Sequence, residues 1–219
     1  SATPWRDDHQ DLLLEAALGP TASVTNFSDL IRLGFLVPPR IRMARAPMPR
    51  IKGFRRLSYA DVYALAIVEN RERNRAIAAE ARRRAEGGRS TLILVAQTAH
   101  GQALHELLPE AHFVYGAVES QVRRRRLEDL ERKLQPIMIA TTLADEGLDV
   151  PTLDGVILAG GGKSATRTYQ RIGRALRPAE GKSEALVLDF MDDLPYLRQH
   201  SEARLELYRQ EPCFQIEPD

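Results

Sequence analysis

The sequence predicts an α/β domain, a parallel sheet with helices on both faces, and three observations predict it. Apolar, β-type runs recur from Thr91 onward: TLILV (91–95), HFVYG (112–116), IMIATT (137–142), GVILAG (155–160) and EALVLDF (184–190). Helical patterns separate them, and strands alternating with helices of this length imply βαβ units. The composition, 43% hydrophobic and 28% charged over 219 residues, supplies a sizeable core and an ordinary globular surface. Sheets of this class bind ligands beyond the carboxyl ends of their strands.

Taken in order, residues 5–37 read as short helices. In SDLIRLGFLV, Ser28 is placed to cap a helix and Gly34 to stop it. Residues 38–50, PPRIRMARAPMPR, hold four prolines, so PPRIRMARA is expected as an edge strand between turns. Tyr59 to Glu86 reads as one long helix stopped by Gly87–Gly88, with Val62, Leu65, Ala66, Ile77, Ala81 and Ala85 available for burial. Thr98 is the expected N-cap of a helix through Leu108, and Ser120 of one through Leu134. In the latter, Leu127, Leu130 and Leu134 form the buried stripe of an amphipathic helix.

Composition also excludes. A net charge of +1 argues against a uniformly basic nucleic-acid coat. Lysine occupies only positions 52, 133, 163 and 182, so arginine supplies the other 27 of the 31 cationic residues. That bias permits phosphate recognition, although a GC-rich genome explains it as simply. The single cysteine, Cys213, cannot form an internal disulfide, which fits a reducing, cytoplasmic compartment. The five histidines show no ligand spacing, so no metal site is expected. No apolar run reaches membrane-span length and no signal-peptide pattern opens the chain. A start at Ser1 rather than Met suggests a piece of something longer.

Four stretches bear on chemistry. GGGKS (160–164) invites a phosphate-loop reading, but G-x-x-x-x-G-K-[ST] needs its first glycine at 157, which is Ile157. A tight βα turn with Lys163 at its rim is the better reading. TTLADEGLDVP (141–151) follows a strand, so Thr141 and Thr142 could meet a phosphate oxygen, Gly147 allows close approach, and Asp149 could accept from a ribose hydroxyl or fix an arginine. By itself the stretch reads more simply as a βα loop with helix-capping acids. In YQRIGRALRP (169–178), Arg171, Arg174 and Arg177 recur every third residue and would fan across one broad helix face. Gly173 is costly there by about 1 kcal/mol relative to alanine, which points to a close contact. The run Arg123–Arg126 sets Arg124 and Arg125 four residues before Glu128 and Asp129, the spacing of exposed ion pairs.

Together, TTLADEGLDVPTLDGVILAGGGKSATRTYQRIGRALRP resembles motifs V and VI of superfamily 2 helicases, in order and correctly spaced. QRIGRALR matches the motif VI pattern Q-x-x-G-R-x-x-R throughout. Upstream, LILVAQTAHGQALHELL resembles motif IV, VYG followed by QVRRR resembles the intervening segment, and Ser1-Ala2-Thr3 resembles motif III. Unlike the DEAD-box branch, Glu146 stands where motif V usually has arginine and Gln170 where motif VI usually has histidine. Those variants are nearer the DNA-translocase and repair types.

The resemblance implies a RecA-like fold and the second of two motor domains. Residues 1–37 would then be the end of the first domain and the linker, 38–198 the C-terminal RecA-like domain, and 199–219 a C-terminal helix and tail. It implies ATP with Mg²⁺, held mainly by the first domain, whose phosphate loop and DExx box this chain lacks. Arg174 and Arg177 would be arginine fingers for the γ-phosphate. Gly147, Asp149, Gln170 and Arg171 would bind ATP or couple it to the track. Gln97, Thr98, Gln121, Arg124, Thr141 and Thr142 would touch single-stranded or duplex nucleic acid, with DNA favoured over RNA, and Ser1 and Thr3 would couple the domains. The alternative is a non-catalytic nucleic-acid-binding module of the same fold; a phosphotransferase built on GGGKS fails on spacing.

Overall fold

Strands β1 (Pro39–Arg45), β2 (Thr91–Val95), β3 (His112–Val114), β4 (Ile137–Thr141), β5 (Gly155–Ile157), β6 (Ala185–Met191) and β7 (Gln215–Glu217) form one sheet. Its order is β3-β4-β2-β5-β6-β1-β7, and every pairing is parallel. The computed structural model describes residues 26–45, 49, 56–141, 150–162 and 165–217. The helices are α1 (Phe27–Arg32), α2 (Tyr59–Tyr63), α3 (Arg71–Glu86), α4 (Thr98–Leu107), α5 (Ser120–Glu131), α6 (Ala165–Ala175) and α7 (Leu197–Arg209).

Alternate residues of each central strand enter different cores. Leu92, Leu94, Met138 and Ala140 pack with Leu130 of α5, Tyr169 and Ile172 of α6, Tyr208 of α7 and Phe27 of α1. Ile93, Val95, Ile137 and Ile139 pack on the opposite face with Ile77 and Ala81 of α3 and Leu104 of α4. The period-two geometry of a strand makes both faces apolar, which is why these strands read as continuous apolar runs. The expected RecA-like parallel sheet is thus present.

Several local expectations differ. The long helix is interrupted: α2 runs into a π-helical turn, Ala64–Val68, and α3 starts afresh after Asn70. The Asn70 side chain accepts from the Arg73 amide at 3.1 Å and donates to the Ala66 carbonyl at 3.1 Å, so it ends one helical segment and caps the next. Leu65, expected inside, is 37% exposed. The strand in PPRIRMARA is not the sheet's edge: β7 pairs with β1 over Arg40–Arg42 and lies outside it.

Helix starts also sit one or two residues earlier than the hydroxyls suggest. Gln97 and Glu119 occupy the N-cap positions, with Thr98 and Ser120 as first helical residues. Asn26, whose Oδ1 takes the Asp29 amide at 2.7 Å, caps α1. Ser28 instead donates its buried hydroxyl to Glu211 at 2.7 Å, and Glu211 also accepts the Ser28 amide at 2.9 Å. α5 ends at Glu131, which leaves Leu134 outside the stripe and 71% exposed. Gly34 does stop α1: its amide and that of Phe35 return to the carbonyls of Ile31 and Leu30. Phe27, Phe214 and Tyr169 pack together, so residues on either side of 38–198 join its core.

Candidate functional site

Along the carboxyl edge of the sheet, β5 leaves through Leu158–Gly162, and the glycines there are forced by geometry. The Gly160 amide donates to the Leu94 carbonyl at 3.0 Å, and a Cβ at Gly160 would lie 2.6 Å from the Ala96 nitrogen. Gly161 and Gly162 have φ of 58° and 119°, values side-chain-bearing residues rarely adopt. The turn therefore lies against the start of α4, where Gln97 and Thr98 are exposed.

Four side chains from four elements hold the carbonyls of this turn. Arg73 of α3 donates to Ala159 at 3.2 Å, Tyr63 of α2 to Gly160 at 2.6 Å, Arg171 of α6 to Gly161 at 3.4 Å, and Arg204 of α7 to Gly162 at 2.6 Å. Nothing in the sequence signals Arg73, Tyr63 or Arg204, because each reads as one more residue of a helix face. Behind the turn, fully buried Arg73 pairs with Asp192 and lies 4.1 Å over the Phe190 ring. Arg204 makes a bidentate pair with buried Asp189 at 2.7 and 2.9 Å, and Tyr208 donates to the same carboxylate at 2.7 Å.

Electrostatics follow from this burial. Desolvation lowers the pKa of Arg73 and raises that of Asp192, each held back by the other's charge. For Arg204 burial pulls downward, but the Asp189 charge outweighs it and the net shift is upward. Burial pushes the Tyr63 phenol up to about 12, so it stays a donor to Gly160. The Gly160 amide is thus committed to the sheet, and the four carbonyls to three arginines and the Tyr63 phenol. Lys163 lies outside the described residues.

The expected arginine fork does not share one accessible face. Arg171 is buried beside Gly161, Arg174 is half-buried, and Arg177 is exposed beyond the end of α6. The close contact expected at Gly173 is present: a Cβ there would meet Phe27 Cε1 at 3.3 Å. The segment after α6 is anchored where Lys182 donates to the carbonyls of Arg177 (2.9 Å) and Pro151 (3.1 Å), and burial lowers the Lys182 pKa to about 8.

Of the remaining candidates, Gln170 and Gln121 are exposed, the latter in the first turn of α5. Arg124 pairs with Glu128 at 3.2 Å, the exposed pair its spacing allows, whereas Asp129 meets His112 at 2.9 Å. Thr141 ends β4 with its side chain buried. Ser1, Thr3, Thr142, Gly147 and Asp149 lie outside the described residues. Among the described residues, no group of three or more His, Cys, Asp or Glu side chains is placed to hold a metal ion. No described helix is long and apolar enough to cross a membrane.

Residues 72–179, from α3 past the end of α6, match the family model described as helicase conserved C-terminal domain. The chain carries a superfamily 2 helicase C-terminal domain. This helicase domain is similar to "Putative helicase 22" of Sulfolobus islandicus filamentous virus, 29% identical over 208 residues, covering 86% of this chain and 36% of that protein. It is similar to the ATP-dependent RNA helicase dbp10 of Aspergillus clavatus, 34% identical over 113 residues, 49% of this chain and 12% of that protein. Among solved structures, T4 UvsW superposes with a TM-score of 0.67 at 25% identity, covering 83% of this chain and 40% of UvsW. The chain thus spans well under half the length of these relatives.

Proposed function

We propose that this chain is the second motor domain of an ATP-dependent helicase or translocase, completing a site whose other half lies on a partner domain. The observation that carries the reading is the carboxyl edge itself. It brings the motif IV residues Gln97 and Thr98 and the turn at Gly160–Gly162 alongside α6, through the Gly160–Ala96 contact and the Arg171–Gly161 bond. ATP, with Mg²⁺, would be held chiefly by that partner domain, as the resemblance to two-domain motors implies.

Arg174 and Arg177 fit a phosphate by chemistry: each offers a permanently charged fork of donors. On domain closure they would reach the γ-phosphoryl group and stabilise charge developing there, a contribution of about 10³–10⁵ in rate where such fingers have been removed or supplied. Arg171 would act differently, as a buried strut that fixes α6 against the glycine turn. Gln170 would complete the interdomain contacts, with Gly147 and Asp149 near the nucleotide and Ser1 and Thr3 coupling the domains. Gln97, Thr98, Gln121, Arg124, Thr141 and Thr142 would line the strand's path. Their contacts would go mainly to phosphate and sugar, which makes binding sequence-indifferent and salt-sensitive. DNA is proposed over RNA on the motif variants at Glu146 and Gln170 alone, although several relatives are named RNA helicases.

The test is ATP hydrolysis by the 219-residue chain alone and after fusion to its upstream half, with and without single-stranded DNA or RNA. The expected result is no turnover alone, nucleic-acid-stimulated turnover by the fusion, and loss of at least about 10³-fold in Arg177→Ala. Turnover by the lone chain that disappears in Lys163→Ala would refute the half-site.

A further inference from the structure

We propose that a cleft at the amino-terminal end of the sheet is a second anion site, built to take a phosphate group and remote from the α6 arginines. The cleft has a volume of about 200 Å³ and is lined by Arg40 and Arg42 of β1, Glu80, Arg83 and Arg84 of α3, and Arg89 before β2. One water needs roughly 10–15 Å³ of such space, so an anion of several heavy atoms fits.

Charge supplies the argument. The Glu80 carboxylate, 8% exposed, receives three guanidinium groups: Arg83 Nη2 at 2.8 Å, Arg84 Nε at 2.8 Å and Arg42 Nη2 at 3.0 Å. Glu184 serves both Arg40 (3.0 Å) and Arg89 (3.5 Å), and Glu217 meets Arg40 at 3.4 Å. Five arginines around one cleft therefore share three carboxylates, an excess of two positive charges. Arg84 is 4% exposed and spends another donor on the Leu186 carbonyl at 3.1 Å, so it is locked in place and largely out of water. Cations crowded on one carboxylate, with Arg84 buried among them and Arg42 and Arg83 at the mouth, repel one another, and an anion in the adjoining cleft relieves that repulsion. Guanidinium forks match tetrahedral phosphate oxygens better than point-like cations do.

The site lies at the opposite end of the strands from the glycine turn, because Arg40, Arg42, Leu186 and Val187 occupy the first halves of β1 and β6. It does not depend on the helicase reading. A phosphate here comes either from a nucleic-acid backbone or from a free phosphate compound, and the chemistry of recognition is the same.

Titration calorimetry of the 219-residue chain with inorganic pyrophosphate at low salt tests the site. Saturable binding is expected, weakened at least tenfold in the double variant Arg42→Gln/Arg89→Gln and unchanged in Arg32→Gln on α1. Should the double variant fail to fold, Arg89→Gln alone, at a side chain 41% exposed, reads the same loss. Displacement of pyrophosphate by a single-stranded oligonucleotide would assign the site to a nucleic-acid backbone, and its persistence would assign it to a free phosphate compound. The proposal is overturned by absence of saturable binding, by binding that survives the arginine changes, or by binding lost instead in Arg177→Gln. Binding of an acidic peptide without pyrophosphate would overturn it as well.

Discussion

His100 shows how burial alone sets a residue's chemistry. Its ring is fully buried on α4, with Nε2 2.9 Å from Asn74 Oδ1, and Asn74 in turn donates to the Val68 carbonyl at 2.9 Å. Desolvation, aided by the Arg73 charge, lowers its pKa from 6.5 to about 3. A neutral ring in the folded state and a protonatable one in the unfolded chain make the sign definite. The stabilisation is complete above about pH 6.5 and is lost as pH falls towards 3. Denaturant unfolding at pH 7 and pH 5 should show the wild type losing about 2 kcal/mol more than His100→Gln. Equal losses would mean that His100 is protonated in the fold. Gly173 is a second case: its place in QRIGRALR announces a close contact, but only packing identifies Phe27, from the other side of the β1 strand in sequence, as the contact.

At the scale of elements, the junction between α2 and α3 depends on one side chain. Arginine- and alanine-rich sequence from Tyr59 to Glu86 favours uninterrupted helix, yet Asn70 breaks it by bonding backbone on both sides. The break re-aims α3 so that Arg73 reaches Asp192 and the Ala159 carbonyl while Tyr63 reaches Gly160. Asn70→Ala should therefore cost about 1–2 kcal/mol in chemical denaturation, the upper part of the range for a lost cap, because a buried amide and carbonyl both lose partners. A change below about 0.3 kcal/mol would show that the break is held by packing of the π-helical turn instead. The strands were legible because their apolar runs have no alternative in water. Helix boundaries were less so, since Gln97 and Glu119 cap α4 and α5 without the side-chain hydrogen bonds that make hydroxyl caps recognisable.

The whole molecule is dominated by contacts between distant parts of the chain. Pro39 pairs with Ala185 in the sheet, Arg40 with Gln215, and Glu211 takes the Phe27 and Ser28 amides. Such separations must be closed before they are rewarded, so refolding should take milliseconds to seconds rather than microseconds. Stopped-flow circular dichroism after dilution from denaturant reads this, and a complete microsecond phase would contradict it. The same long-range closure places β7 outside β1, which turns an expected edge strand into an interior one and leaves its arginines facing the anion cleft.

The sequence by itself determined the fold class and the helicase family. Apolar strand runs and the spacing of TTLADEGLDVP and QRIGRALRP are local patterns, set by burial and by backbone geometry that residue type alone dictates. Only the tertiary structure decided how the arginines divide their work. Arg171, Arg174 and Arg177 share one spacing in the sequence, yet Arg171 is buried against the Gly161 carbonyl, Arg174 is half-buried and Arg177 is exposed. Arg73 and Arg204 look like surface charge until Asp192 and Asp189 arrive from the end of β6. An arginine's role depends on which carbonyl, carboxylate or solvent its fork finally meets, and those partners lie far away along the chain.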